Sequence, residues 1–98
     1  MRLEWSPDAL DDLDGIFDYI AQDNPDRAFS FIGELRSGIY VLKDAPRIGT
    51  IIQELGDDAF REYYLKGYNF IYEIKEESIL IHEVYNPQRI FIRSYNRG

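Results

Sequence analysis

Residues 60–85 read FREYYLKGYNFIYEIKEESILIHEVY. Tyr68, Phe70, Tyr72 and Ile74 alternate there with Asn69, Ile71, Glu73 and Lys75. A period of two places one set on each face of a strand. Lys66-Gly67 and Glu76-Glu77 interrupt the pattern and read as turns, which predicts strands over 60–65, 68–74 and 79–85. The last run is rich in β-branched residues. Parallel strands need a long crossover, so this spacing predicts an antiparallel meander.

Working towards the start of the chain, the period changes to that of a helix. Ser6-Pro7-Asp8 combines an N-cap serine, a proline at the first helical position and an acid in the first turn. Leu10, Leu13, Phe17 and Ile20 follow at steps of three and four, one face of a helix. Gln22-Asp23-Asn24-Pro25 ends that helix, and Asn24-Pro25-Asp26 starts a second. The second carries a stripe of Ala28, Phe31 or Ile32, Leu35, Ile39 and Leu42, stopped at Ala45-Pro46. Residues 2–5, with Leu3 and Trp5, read as a first short strand. Residues 44–59, with Pro46, Gly49 and Gly56, read as a loop around Ile51-Ile52. The expectation is an α+β domain of order β-α-α-β-β-β. A helical hairpin over about 7–44 packs on a small, curled, mainly antiparallel sheet from 2–5 and about 60–85. A basic tail, 86–98, follows.

The chain is 98 residues, enough for a single core. Its 45% apolar and 15% aromatic content excludes a disordered chain. With no cysteine there is no disulfide, no thiol nucleophile and no Cys-based metal site. No apolar run approaches the roughly 18 residues of a membrane helix, and Met-Arg-Leu-Glu-Trp is no signal peptide, so a soluble, cytoplasmic protein is expected. The net charge of −7 opposes nucleic-acid binding through the overall field. That charge is uneven. Residues 8–26 hold seven acids and no base, whereas 86–98 hold Arg89, Arg93 and Arg97 with no acid.

Catalytic and metal signatures are weak. One histidine, His82, and few serines do not make a hydrolase triad. His82 and Glu83, as strand neighbours, are expected to point to opposite faces. No glycine-rich phosphate loop occurs, and no metal or cofactor is expected. The acids of the first helix read as a solvated face. Arg61 and Arg89 could together grip a phosphate or carboxylate. Tyrosines 63, 64, 68, 72, 85 and 95 surround them in sequence, either as sheet core or as a stacking surface.

The ordered set of Trp5-Ser6-Pro7-Asp8-Ala9-Leu10-Asp11-Asp12-Leu13, Asn24-Pro25-Asp26-Arg27-Ala28, Leu42/Pro46/Gly49 and the three strands resembles RelE/ParE-type toxins of bacterial toxin–antitoxin systems. The resemblance covers residues 3 to about 89. It implies the same β-α-α-β-β-β fold and two possible activities. RelE-like members cleave messenger RNA on the ribosome. ParE-like members poison DNA gyrase. Both are neutralised by an antitoxin, and operator DNA is reached only through that antitoxin.

Carried over residue by residue, Arg61 matches an arginine that opens the second strand in both branches. Arg89 falls at the nuclease branch's C-terminal arginine, with Arg93 as a rival, and Tyr95 near its C-terminal tyrosine. In a nuclease, Arg61 and Arg89 would hold phosphate, and Tyr95 or His82 would move the proton. The segment before Arg61, residues 53–58, is acidic where that branch has bases, and the hairpin signature is closer to ParE. The preferred reading is therefore a gyrase-directed toxin that is not an enzyme, with Arg61, Arg89, Arg93 and Tyr95 as target contacts. Arg61 could alternatively be structural, bridging to Glu83 or the tail. A ribosome-dependent nuclease and a non-toxic antitoxin-binding module are the alternatives. The antitoxin is expected in the groove between hairpin and sheet, on Leu35, Ile39, Tyr63 and Phe70.

Overall fold

The computed structural model describes residues 1–88. Strand β1 (Arg2–Trp5) leads into helix α1 (Pro7–Ala21), a tight turn, and helix α2 (Pro25–Ile39). A four-residue helix α3 (Val41–Asp44) and a connector follow, holding short 3-10 turns at 46–48 and 53–55 around strand β2 (Thr50–Ile51). Strands β3 (Phe60–Leu65), β4 (Tyr68–Ile74) and β5 (Ser78–Tyr85) form the meander. The sheet order is β1-β5-β4-β3-β2. Only β1 with β5 is parallel, and the other pairs are antiparallel. The expected α+β arrangement is thus present, with one addition. Ile51 pairs with Arg61 and Thr50 with Glu62, which makes β2 a short edge strand where a loop is expected.

Both helix starts form as their sequences dictate. Ser6 Oγ accepts the Ala9 N–H at 3.0 Å, and Asn24 Oδ1 accepts the Arg27 N–H at 3.0 Å. Prolines 7 and 25 occupy the first helical positions, where an N–H would go unused. The β3–β4 turn places Lys66 at φ 52° and Gly67 at φ 92°. Positive φ at both centres suits the right-handed twist of a two-residue hairpin.

The core lies between the hairpin and one face of the sheet. Leu35, Ile39, Leu42, Phe70, Tyr72, Ile79 and Ile81 are fully buried there. Each large apolar side chain so buried contributes roughly 1.5–3 kcal/mol. In α1 the buried face is Ala9, Leu13 and Ile16, with Ile20 packed against it; of the expected stripe Leu13 and Ile20 meet the core, and Leu10 and Phe17 are turned away from it. Leu10 is 44% exposed. The two stripes differ by a small rotation of the helix. Ala9 lets α1 approach β5 closely, and Phe17 turns towards α2, where it meets Phe29 in a T-shaped contact at 4.8 Å.

A buried polar node holds the connector. The Gly49 N–H donates to the Tyr72 hydroxyl at 3.0 Å, and that hydroxyl donates to the Pro46 carbonyl at 2.7 Å. Gly49 has an ordinary extended backbone, so its requirement is space: an added Cβ would lie 2.5 Å from the Tyr72 oxygen and 2.7 Å from the Glu62 carbonyl.

Tyr72→Phe should cost about 1–3 kcal/mol in urea unfolding, because it strands a buried donor and acceptor. Burial pushes the Tyr72 hydroxyl above its ordinary pKa, against the opposing pulls of the Gly49 N–H and the Arg61 charge. A raised folded pKa gives stability that is present below the unfolded value and lost as pH rises beyond it. Stability should therefore fall above about pH 10, less steeply in Tyr72→Phe, as read by midpoints across an alkaline series.

Candidate functional site

Strand register divides the candidate residues between two faces. Arg61, Tyr63 and Leu65 pair with Tyr72, Phe70 and Tyr68 and face the helices. Phe60, Glu62 and Tyr64 pair with Glu73, Ile71 and Asn69 and face outward. The outward face is therefore acidic, with Glu62 and Glu73 opposite apolar and aromatic neighbours.

Arg61 is the decisive placement. It is only 8% exposed. Its Nε donates to the Asp58 carbonyl at 3.0 Å. One terminal nitrogen donates to the carbonyls of Arg47 and Gly49, at 3.0 and 3.1 Å. Three backbone acceptors of the connector thus converge on one guanidinium, which a lysine's single ammonium could not match in geometry. Among the described residues Arg61 is held by carbonyls of residues 47–58, with no ion pair to Glu83; the alternative bridge to the tail lies outside the described residues.

A β-bulge alters the expectation for His82. Ile71 pairs with Glu83, but the next β4 residue, Tyr72, pairs with Ile81. His82 is the extra residue. Ile81 and Val84 are both in the core, so two residues lie between successive inward positions and strict alternation fails. The expectation that His82 and Glu83 point to opposite faces assumed an unbroken strand. Helix α1 holds this bulge: Ser6 Oγ donates to the His82 carbonyl at 2.9 Å, and Asp12 Oδ2 accepts the Val84 N–H at 2.9 Å. The His82 ring stacks on Phe60, with centroids 5.8 Å apart. Its Nε2 lies 2.9 Å from Glu73 Oε1.

The four residues expected to receive the antitoxin lie differently. Leu35, Ile39 and Phe70 are fully buried, and Tyr63 is half-buried against them. The groove between hairpin and sheet is filled by the chain's own core, so a partner could reach these three only by opening it. Arg89, Arg93 and Tyr95 lie outside the described residues. Among the described residues no cluster of three metal-ligating side chains occurs, and no helix is long and apolar enough to cross a membrane.

The exposed faces of the hairpin are candidate contacts in the sequence, and the structure shows which apolar residues stand on them. Leu10 and Phe29 are exposed, Phe29 by 70%, and Phe17 joins them through its ring contact with Phe29. The available signal was Phe29 itself, a large aromatic next to the core residue Ala28 and off the α2 stripe.

Comparison with known proteins accords with this architecture. The family model described as the ParE toxin of the type II toxin–antitoxin system parDE matches residues 3–91. A solved chain of the chromosomal ParDE TA system from P. aeruginosa superposes with a TM-score of 0.73 at 22% identity. The match covers 88% of this chain and 95% of that one, and at this identity it speaks to the fold. No curated protein matches. With nearly the whole chain inside the family match, the chain belongs to the ParE toxin family of type II toxin–antitoxin systems.

Proposed function

We propose that this chain is a toxin that inhibits DNA gyrase by protein–protein contact and is neutralised by a cognate antitoxin. The family carries the toxin half of that statement. The observation that favours contact over RNA cleavage is the placement of Arg61. A nuclease needs that guanidinium on a phosphate, and here it is buried and bonded to three carbonyls. The outward sheet face offers Glu62 and Glu73 instead, and carboxylates repel a polyanion. On this reading the protein works in the cytoplasm, needs no cofactor, and reaches operator DNA only through the antitoxin. Target contacts then fall to Arg89, Arg93 and Tyr95 in the tail, the one part of the chain rich in bases and free of acids.

Induction of the chain alone in a bacterium should reduce viable colonies, and co-expression of the adjacent gene should restore them. The purified chain should block gyrase supercoiling. Truncation after Pro87 should abolish that block and leave antitoxin binding. Cleavage of ribosome-bound messenger RNA with gyrase unaffected would overturn the proposal.

Arg61→Met should lower stability by at least about 2 kcal/mol, since it leaves buried carbonyls without donors. Its loss of toxicity should track its loss of folded protein across temperature. A stable, folded Arg61→Met protein that has lost toxicity would instead mark Arg61 as a contact residue.

A further inference from the structure

We infer that the outward face of the sheet is a docking surface for the chain's own residues 89–98, and that it withholds them from other partners. The docking is independent of the target proposed above, and only its effect on toxicity rests on that reading. Cross-strand partners share a face, so the ladder sets this surface row by row. Glu62, Ile71 and Glu83 form one row across β3, β4 and β5, and Phe60, Glu73 and Leu80 form the next. The hairpin and the connector pack on the opposite face, where the connector is bonded to Arg61 and Tyr72. Phe60, Ile71 and Leu80 thus keep part of their apolar surface in water, beside three carboxylates and no lysine or arginine in the two rows. Among the described residues Glu62 enters no ion pair.

Charge and length identify the occupant. Residues 89–98 read RIFIRSYNRG, with three arginines, no acid and the apolar run Ile90-Phe91-Ile92. β5 ends at Tyr85 and lies next to β4, so the chain leaves the ladder at the border of this face. Ten extended residues reach about 33 Å, whereas crossing from β5 to β3 takes about 10 Å. Arg89 and Arg93 are four residues apart and span about 13 Å in an extended chain. That is similar to the two strand spacings between Glu83 and Glu62. The apolar run between the arginines matches Ile71 between the carboxylates. A tethered segment acts at an effective concentration in the millimolar range, which favours it over a basic partner in solution. A second copy of the chain would set the same carboxylates against themselves, and nucleic acid would meet like charge.

The chain has no cysteine, so a spin label on Ser94→Cys sits at a single position. The test is a proton–nitrogen NMR spectrum of the full chain with that label, at about 50 and about 300 mM salt. At low salt the label should broaden the amide signals of Glu62 and Ile71 more than those of α1 and α2, and high salt should reverse this. The double variant Glu62→Gln, Glu83→Gln should lose the selective broadening, with an unchanged thermal midpoint to confirm the fold. Arg89→Gln, Arg93→Gln should lose it from the other side. Broadening that is absent, equal on sheet and helices, or unchanged in both double variants overturns the inference. So does broadening that passes to unlabelled copies in a mixture, which gives the face to a second copy. So do signals that the label leaves untouched but that added antitoxin shifts, which gives the face to a basic partner. With the tail on gyrase, the Glu62→Gln, Glu83→Gln chain should block supercoiling at a concentration about threefold lower than wild type. Equal or weaker block overturns the withholding. Failure of wild type to block gyrase overturns the proposed target and the withholding with it, while the spectra still decide the docking.

Discussion

A buried guanidinium and a buried phenol, side by side on neighbouring strands, hold the connector between helices and sheet. Arg61 and Tyr72 are a cross-strand pair of β3 and β4, so their positions are fixed by the ladder. Residues 46–58 carry inward-turned carbonyls that no long strand satisfies. Arg61 and Tyr72 supply donors to those of Pro46, Arg47, Gly49 and Asp58. Burying a charge without a carboxylate is costly unless dipoles surround it. Here three carbonyl oxygens point at it. The connector in turn places β2, a two-residue strand too short to hold its position by its own ladder.

The second constraint runs through α1. A bulge breaks the β4–β5 ladder and leaves backbone groups of β5 needing partners on the helix side. Ser6 and Asp12 provide them, and Ser6 does so while also capping the helix. The helix start, its second turn and the latter half of β5 are therefore one hydrogen-bonded unit. This fixes the rotation of α1. With Ser6 and Asp12 facing the sheet, Ala9, Leu13 and Ile16 must lie beneath, and Leu10 and Phe17 must turn out.

That rotation shows what local sequence could and could not give. The helix starts at Ser6-Pro7 and Asn24-Pro25, and the strands at 60–65, 68–74 and 79–85, are written in capping chemistry and period, which act over a few residues. The rotation of α1 depends on Asp12 meeting Val84, 72 residues away, and two apolar stripes fit a helix of this composition equally well. β2 has two residues, too few for a period. The bulge at His82 removes the alternation that the reading of its neighbours assumed. For Arg61 the family position and the strand face are legible, but not the acceptors it meets. Alternation alone places it with Tyr63 and Leu65, on the core side. A charged residue in that set reads as a surface contact, because its acceptors lie in a segment that reads as loop.

The same facts bear on partner class. The outward sheet face and the hairpin's outer side are both acidic, and they are formed by different elements. Net charge alone could have been balanced by a local basic patch. Several of the cations among the described residues are instead drawn inward or paired: Arg61 in the connector node, Arg27 and Lys66 on Glu34, Arg36 over Trp5. Surface pairs of this kind add little stability, typically below about 1 kcal/mol. Their effect on recognition is larger, because they leave the exposed carboxylates of α1 unopposed. A protein surface bearing lysines and arginines is attracted to such a field at a distance, and a phosphate backbone is repelled by it. Long-range charge on this part of the chain therefore favours approach of a basic surface over that of a phosphate backbone before any contact forms.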